Sequence, residues 1–76
     1  MNKIRRNKLN TLVDKLEDLK SQLEDIRDEE QDAYDNMPDG LQMSDRGMAS
    51  EEAISNMEEA LDELESAIEA INNASF

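Results

Sequence analysis

The stretch Asn36-Met37-Pro38-Asp39-Gly40 stands near the middle of the 76-residue chain and separates two runs of the same apolar rhythm. Proline cannot continue a helix, because it lacks a backbone N–H and its ring collides with the preceding turn, and Pro-Asp-Gly is turn-forming. On the N-terminal side Leu9, Leu12, Leu16, Leu19, Leu23 and Ile26 step alternately by 3 and 4, and Ala33 and Met37 continue the frame past Glu30. On the C-terminal side Ile54, Met57, Leu61, Leu64, Ile68 and Ile71 step in the same way. This is the spacing of helices packed along one seam, in segments rich in the helix formers Leu, Ala, Glu, Lys and Met. A break this short turns the second helix back along the first. The predicted fold is all-α: an antiparallel two-helix coiled-coil hairpin with a helix over 9–36, a loop over 37–44 and a helix over 45–73. Residues 1–8 are a basic N-terminal arm or an extension of the first helix.

Two residues can cap the second helix. Ser44 starts it early, with Asp45 in the first turn and Gly47 tolerated; Ser50 starts it late, with Glu51 and Glu52 complementing the helix dipole. Ser44 is favoured because it leaves the shorter loop. Aligning the two runs pairs Ile26 with Met57, Leu23 with Leu61, Leu19 with Leu64, Leu16 with Ile68 and Leu12 with Ile71. Leu41 and Met43 are expected to fold down over the open end of the seam. Ala53, Ala60, Ala67 and Ala74 recur every seven residues beside the seam, and Val13 widens the apolar face of the first helix. A small-residue stripe is either simple helix propensity or a second packing surface. The second reading is preferred, since a lone hairpin of this length leaves its seam half-covered; dimerisation would complete a four-helix bundle.

Twenty acidic residues stand against 8 basic ones, a net charge of −12. Lys3, Arg5, Arg6 and Lys8 crowd the first eight positions, so residues 9–76 carry 4 basic and 20 acidic groups, a net of −16. After Arg46 there is no Lys or Arg, while Glu51, Glu52, Glu58, Glu59, Asp62, Glu63, Glu65 and Glu69 follow. Such a field repels nucleic acid and draws basic surfaces, so no direct nucleic-acid binding by the body of the chain is expected. The absence of Cys and His removes disulfides and soft-ligand metal sites, and no cofactor is expected. No apolar run follows the basic start, and none reaches the roughly 18 residues of a membrane span. A cytoplasmic protein with no membrane partner is the simplest expectation.

Catalysis is not expected. Acid–base work needs carboxylates with separated pKa values in a sheltered pocket, and a hairpin offers none. Glu30 is the one acid on the seam; either water reaches it near the open end, or Arg27 or Arg46 pairs with it and fixes register. The stretch from Asp35 to Arg46 places Asp35, Asp39 and Gly40 at three calcium-loop positions. Met37 and Arg46 stand where two central ligands belong, so an EF-hand is rejected.

The segment Tyr34-Asp35-Asn36-Met37-Pro38-Asp39-Gly40-Leu41-Gln42, followed by Ser44 and Arg46-Gly47, resembles the loop of short acidic helical-hairpin proteins encoded by bacteriophages and prophages, mostly without assigned function. The resemblance covers residues 34–47. It implies a mobile-element origin and, by analogy with other small acidic proteins of such elements, inhibition of a host defence enzyme. Joined to the charge pattern, the functional expectation is a non-enzymatic interaction protein. Its eight acids from Glu51 to Glu69 would engage a basic, nucleic-acid-handling host or defence protein. The other reading is a structural coiled-coil assembly protein built through Ala53, Ala60, Ala67 and Ala74.

Overall fold

The computed structural model describes residues 1–76. Two long helices, α1 (Lys3–Asp35) and α3 (Asp45–Ala74), pack against each other and are joined by the single turn α2 (Asp39–Gln42). There are no strands. The molecule is a rod with principal extents of 58 × 15 × 11 Å. None of its helices is long and apolar enough to cross a membrane.

Helix α1 begins at Lys3 because Asn2 caps it, its Oδ1 accepting the Arg5 N–H at 2.9 Å. The basic residues 3–8 are therefore helical. Their placement opposes the helix dipole: the first turn of α1 carries no acid and the last no base, which costs a few tenths of a kcal/mol or more per charge. At the other end, the Met37 N–H reaches Tyr34 O at 3.0 Å, and Pro38 then starts α2, its carbonyl accepting the N–H groups of Leu41 and Gln42. Pro-Asp-Gly thus opens a helical turn, with no glycine at positive φ. Gln42 Nε2 donates back to Tyr34 O at 3.0 Å, tying α2 to the end of α1. Ser44 caps α3: its hydroxyl accepts the Gly47 N–H at 3.5 Å and donates to Leu41 O.

Gly47 is more than tolerated here. It is buried, and a Cβ on it would collide with the backbone carbonyls of Leu41 and Gln42. Gly40 has open space around it. Gly47→Ala is therefore expected to destabilise by about 1–3 kcal/mol through overpacking, outweighing at most ~1 kcal/mol of helix propensity. Gly40→Ala should be neutral or stabilising by up to about 1 kcal/mol. The melting temperature should fall for Gly47→Ala and stay or rise for Gly40→Ala, by roughly 4–8 °C per kcal/mol for a domain this small.

The seam follows the expected rows on α3. Ile54, Leu61 and Ile68 are buried, and Met57, Leu64 and Ile71 are half-buried. On α1 only one of the two expected rows holds. Leu9, Leu16, Leu23 and Met37 are half-buried, but Leu12, Leu19 and Ile26 keep 48%, 53% and 54% of their surface exposed, and Ala33 is exposed too. Their place against α3 is taken by Val13, the one buried residue of α1, and by Lys20, Arg27 and Tyr34, all half-buried. The predicted pairs through Leu12, Leu19 and Ile26 are thus displaced, whereas Leu16 and Leu23 still line the seam. The physical reason is rotation of α1 about its axis. Long amphipathic side chains cover apolar surface with their stems while their tips reach the rim, and two of those tips find carboxylates on α3. Lys20 Nζ lies 2.6 Å from Glu65 Oε2, and the Tyr34 hydroxyl donates to Glu51. Fourteen residues forward on α1 match fourteen back on α3, which is the register of an antiparallel pair.

One further expectation is corrected, and one of the two alternatives for Glu30 falls. Leu41 and Met43 do not cover the open end; they are 47% and 85% exposed, because the connection winds into α2, which is tied to α1 through half-buried Gln42 rather than through them. Glu30 pairs with neither arginine. Ser50, only 5% exposed, donates its hydroxyl to Glu30 Oε1 at 2.6 Å, while Arg27 turns to its neighbour Asp28 at 2.9 Å. The seam polar group is satisfied by a buried hydroxyl rather than by a charge.

Candidate functional site

The hairpin has two long edges of opposite character, both built by heptad spacing. One edge holds the residues immediately following seam positions: Glu17, Glu24 and Gln31 on α1, and Glu51, Glu58 and Glu65 on α3. Toward this edge point the polar tips of Lys20 and Tyr34. A shallow depression along it is lined by Gln31, Tyr34, Glu51, Ile54, Ser55 and Glu58. The opposite edge holds the residues immediately preceding the row of Val13, Lys20, Arg27 and Tyr34 on α1 and that of Ile54, Leu61 and Ile68 on α3. These are Leu12, Leu19, Ile26 and Ala33, and Ala53, Ala60 and Ala67, with Ala74 one heptad on. In an antiparallel pair the preceding rows of both helices fall on the same side, so this edge is apolar along its whole length. Ala60 is half-buried; Ala53, Ala67 and Ala74 are exposed.

The eight acids of α3 do not form one uniform set. Glu51 accepts from Tyr34 and Glu65 from Lys20, so these two help hold the hairpin together. Glu52, Glu58, Glu59, Asp62, Glu63 and Glu69 are exposed and make no side-chain hydrogen bond or ion pair. Glu51 to Glu69 spans about 27 Å of helix axis at 1.5 Å per residue, roughly one carboxylate per 4 Å; a DNA strand carries one phosphate per about 3.4 Å. The outer face of α1 adds Asp14, Glu17, Asp18, Asp25, Asp28 and Asp32, all exposed. No group of three or more Asp and Glu converges as a metal site would.

The two contacts across the polar edge shift their members. Hydrogen bonding to Glu65 holds the Lys20 ammonium above its ordinary value against partial desolvation, with the charges of Glu65, Glu24 and Glu17 acting in the same upward sense. Hydrogen bonding to Glu51 raises the Tyr34 phenol, and burial and the charges of Glu51 and Asp35 push the same way. Both folded-state values lie above the unfolded ones, so the stabilisation is complete below the ordinary values of 10.0 and 10.5. It is lost as pH rises through the raised folded values. Melts recorded from pH 8 upward should show stability falling only in the alkaline range, together with delayed appearance of phenolate absorbance. Tyr34→Phe should flatten part of that fall, and an unchanged alkaline profile would show that the Tyr34–Glu51 contact does not form.

No protein-family model, curated protein or solved structure matches the chain. Function has to be read from these surfaces alone.

The connection between Met37 and Ser44 is not part of either edge, although Leu41, Met43 and Met48 are exposed around it. The inward partners of Glu51 and Glu65 could not be read from α3 alone. The available signal was Lys20 and Tyr34 recurring in the heptad frame of Val13 and Arg27, one place along from the leucine row.

Proposed function

We propose that this chain is a non-enzymatic interaction protein whose acidic exterior engages a basic surface on a nucleic-acid-handling host or defence protein, and inhibits it by occupying the groove that nucleic acid uses. The single observation that carries this reading is the set of six exposed, unpaired carboxylates on α3 (Glu52, Glu58, Glu59, Asp62, Glu63 and Glu69) on a helix with no base after Arg46. Ordinary helix exteriors interleave Lys with Glu for support between neighbouring turns. A row of like charge instead destabilises its own helix, and a basic partner would relieve it. The resemblance of residues 34–47 to phage hairpin proteins supports a role inside a bacterial host cell, in the cytoplasm.

The test is a pull-down from bacterial lysate with tagged chain at low and high salt, read by mass spectrometry. Capture of a nucleic-acid-binding or defence protein at low salt and its release at high salt is the expected result, because exposed charge pairs are screened within about 8 Å at physiological ionic strength. Retention unaffected by several hundred millimolar salt would rule the acidic face out as the binding surface. A second reading, an assembly protein whose product is the helical bundle itself, is favoured by one specific observation: the exposed apolar edge of Leu12, Leu19 and Ile26 beside the alanine row.

A further inference from the structure

The apolar edge has a shape, a size and a charge pattern that together specify an occupant. Its three large side chains are about half-exposed, and the neighbouring seam residues Leu16, Leu23, Met57, Leu64 and Ile71 are only half-covered by the hairpin itself. The core is therefore open on one side. The rod is 58 Å long and 15 Å wide, a face of roughly 800–900 Å², against the ~800 Å² per partner that a standard stable interface buries.

The charges along this edge are self-complementary when the helix is reversed. Leu19 is the midpoint of α1, which runs from Lys3 to Asp35. About Leu19 the edge row reads Leu12 on one side and Ile26 on the other, so a twofold axis there sets leucine against isoleucine. The flanking row reads Lys8, Lys15, Gln22 and Glu29, all exposed, so the same axis, to within one residue, sets Lys8 of one copy against Glu29 of the other and Lys15 against Gln22. The α1 charges oppose their own helix dipole, with Lys3, Arg5, Arg6 and Lys8 at the N-terminus and Asp32 and Asp35 at the C-terminus. A reversed second α1 corrects both ends at once. On α3 the facing rows are Ala53, Ala60, Ala67 and Ala74 and then Ala49, Asn56, Glu63 and Ala70, so two copies of α3 can approach closely with one carboxylate each in the contact. The other twofold arrangement, α1 upon α3, brings both basic N-terminal segments to the same end and pairs no charges.

We infer that the apolar edge binds a second copy of this chain, α1 against α1 and α3 against α3 in opposite directions, with the twofold axis at Leu19, closing a four-helix bundle that leaves the acids of α3 other than Glu63 outside. This goes beyond the identity of any basic partner and is tested without one. The chain has no cysteine, so Asn7→Cys provides a single nitroxide site per copy. Sedimentation equilibrium of the wild type should give twice the 8.7 kDa chain mass. Pulsed dipolar spectroscopy should place the two labels roughly 36 Å apart along the rod, since each lies twelve residues from the axis at about 1.5 Å per residue. Leu19→Gln with Ile26→Gln should weaken association by at least tenfold while circular dichroism stays helical, and Lys8→Glu should be rescued by Glu29→Lys in the same chain. A monomer at every concentration overturns the proposal, as does a dimer indifferent to the paired glutamine substitutions. Labels within about 20 Å, the separation of adjacent ends at 8–10 Å helix spacing, overturn the reversed arrangement.

Discussion

Replacing Glu52, Glu58, Glu59, Asp62, Glu63 and Glu69 with their amides is expected to abolish capture of the basic partner while leaving the hairpin as helical as before, or more so. The reasoning joins two effects of one charge row. Within the chain these six carboxylates have no partner, so neutralising them removes repulsion and breaks nothing. Like charges one turn apart cost a few tenths of a kcal/mol per pair, so the variant should melt at the same temperature or a few degrees higher. Toward a partner the same charges act together. If each contributes even 0.5–1 kcal/mol in a desolvated groove, losing six costs about 3–6 kcal/mol, or two to four orders of magnitude in affinity. Glu51 and Glu65 are left unaltered in this variant, because Tyr34 and Lys20 hold them and their loss would confuse folding with binding. Affinity measured by calorimetry beside a melting curve separates the two. Unchanged affinity would remove the acidic face from the function and leave the bundle as the product.

The fold was legible because both long helices carry an uninterrupted rhythm and the break at Pro38 is unambiguous. On α3 the rows could be assigned from sequence, since Ile54, Leu61 and Ile68 have alanine on one side and carboxylates on the other. On α1 three adjacent rows can all face a neighbour: Leu9, Leu16 and Leu23 in the middle, Leu12, Leu19 and Ile26 to one side, Val13, Lys20, Arg27 and Tyr34 to the other. A pattern that counts Lys, Arg and Tyr as polar selects the leucines. The competing term is set by the partner helix, whose carboxylates at Glu51 and Glu65 reward a turn of α1 that brings Tyr34 and Lys20 inward. The Glu30–Ser50 contact lies on the seam frame of both helices but escapes an apolar pattern because both partners are polar, and the need for glycine at position 47 depends on where α2 folds. Of the candidate site, the acidic face could be read directly, its split into engaged and free carboxylates could not.

Leu61→Ala and Leu19→Ala should differ sharply, although both leucines belong to the same apolar rhythm. Leu61 is 7% exposed and sits among the few buried apolar residues of the hairpin, with Val13, Ile54 and Ile68. Truncating it costs the lost burial plus the cavity, about 2–5 kcal/mol. A domain of this size holds only about 3–5 kcal/mol in a single core, so most of the Leu61→Ala population should be unfolded in circular dichroism at 25 °C. Leu19 already gives half its surface to water in one chain, and its truncation in a dilute, monomeric sample should cost no more than about 1 kcal/mol, partly offset by the helix propensity of alanine. The same variant carries a second signature. If two hairpins close over the Leu19 edge, each dimer loses two leucines from its centre, and the concentration dependence of the melting temperature should collapse for Leu19→Ala while its dilute-limit value barely moves. Equal destabilisation of both variants at every concentration would mean that α1 packs through the leucine row after all, with Lys20 and Tyr34 turned outward and the Lys20–Glu65 and Tyr34–Glu51 contacts open.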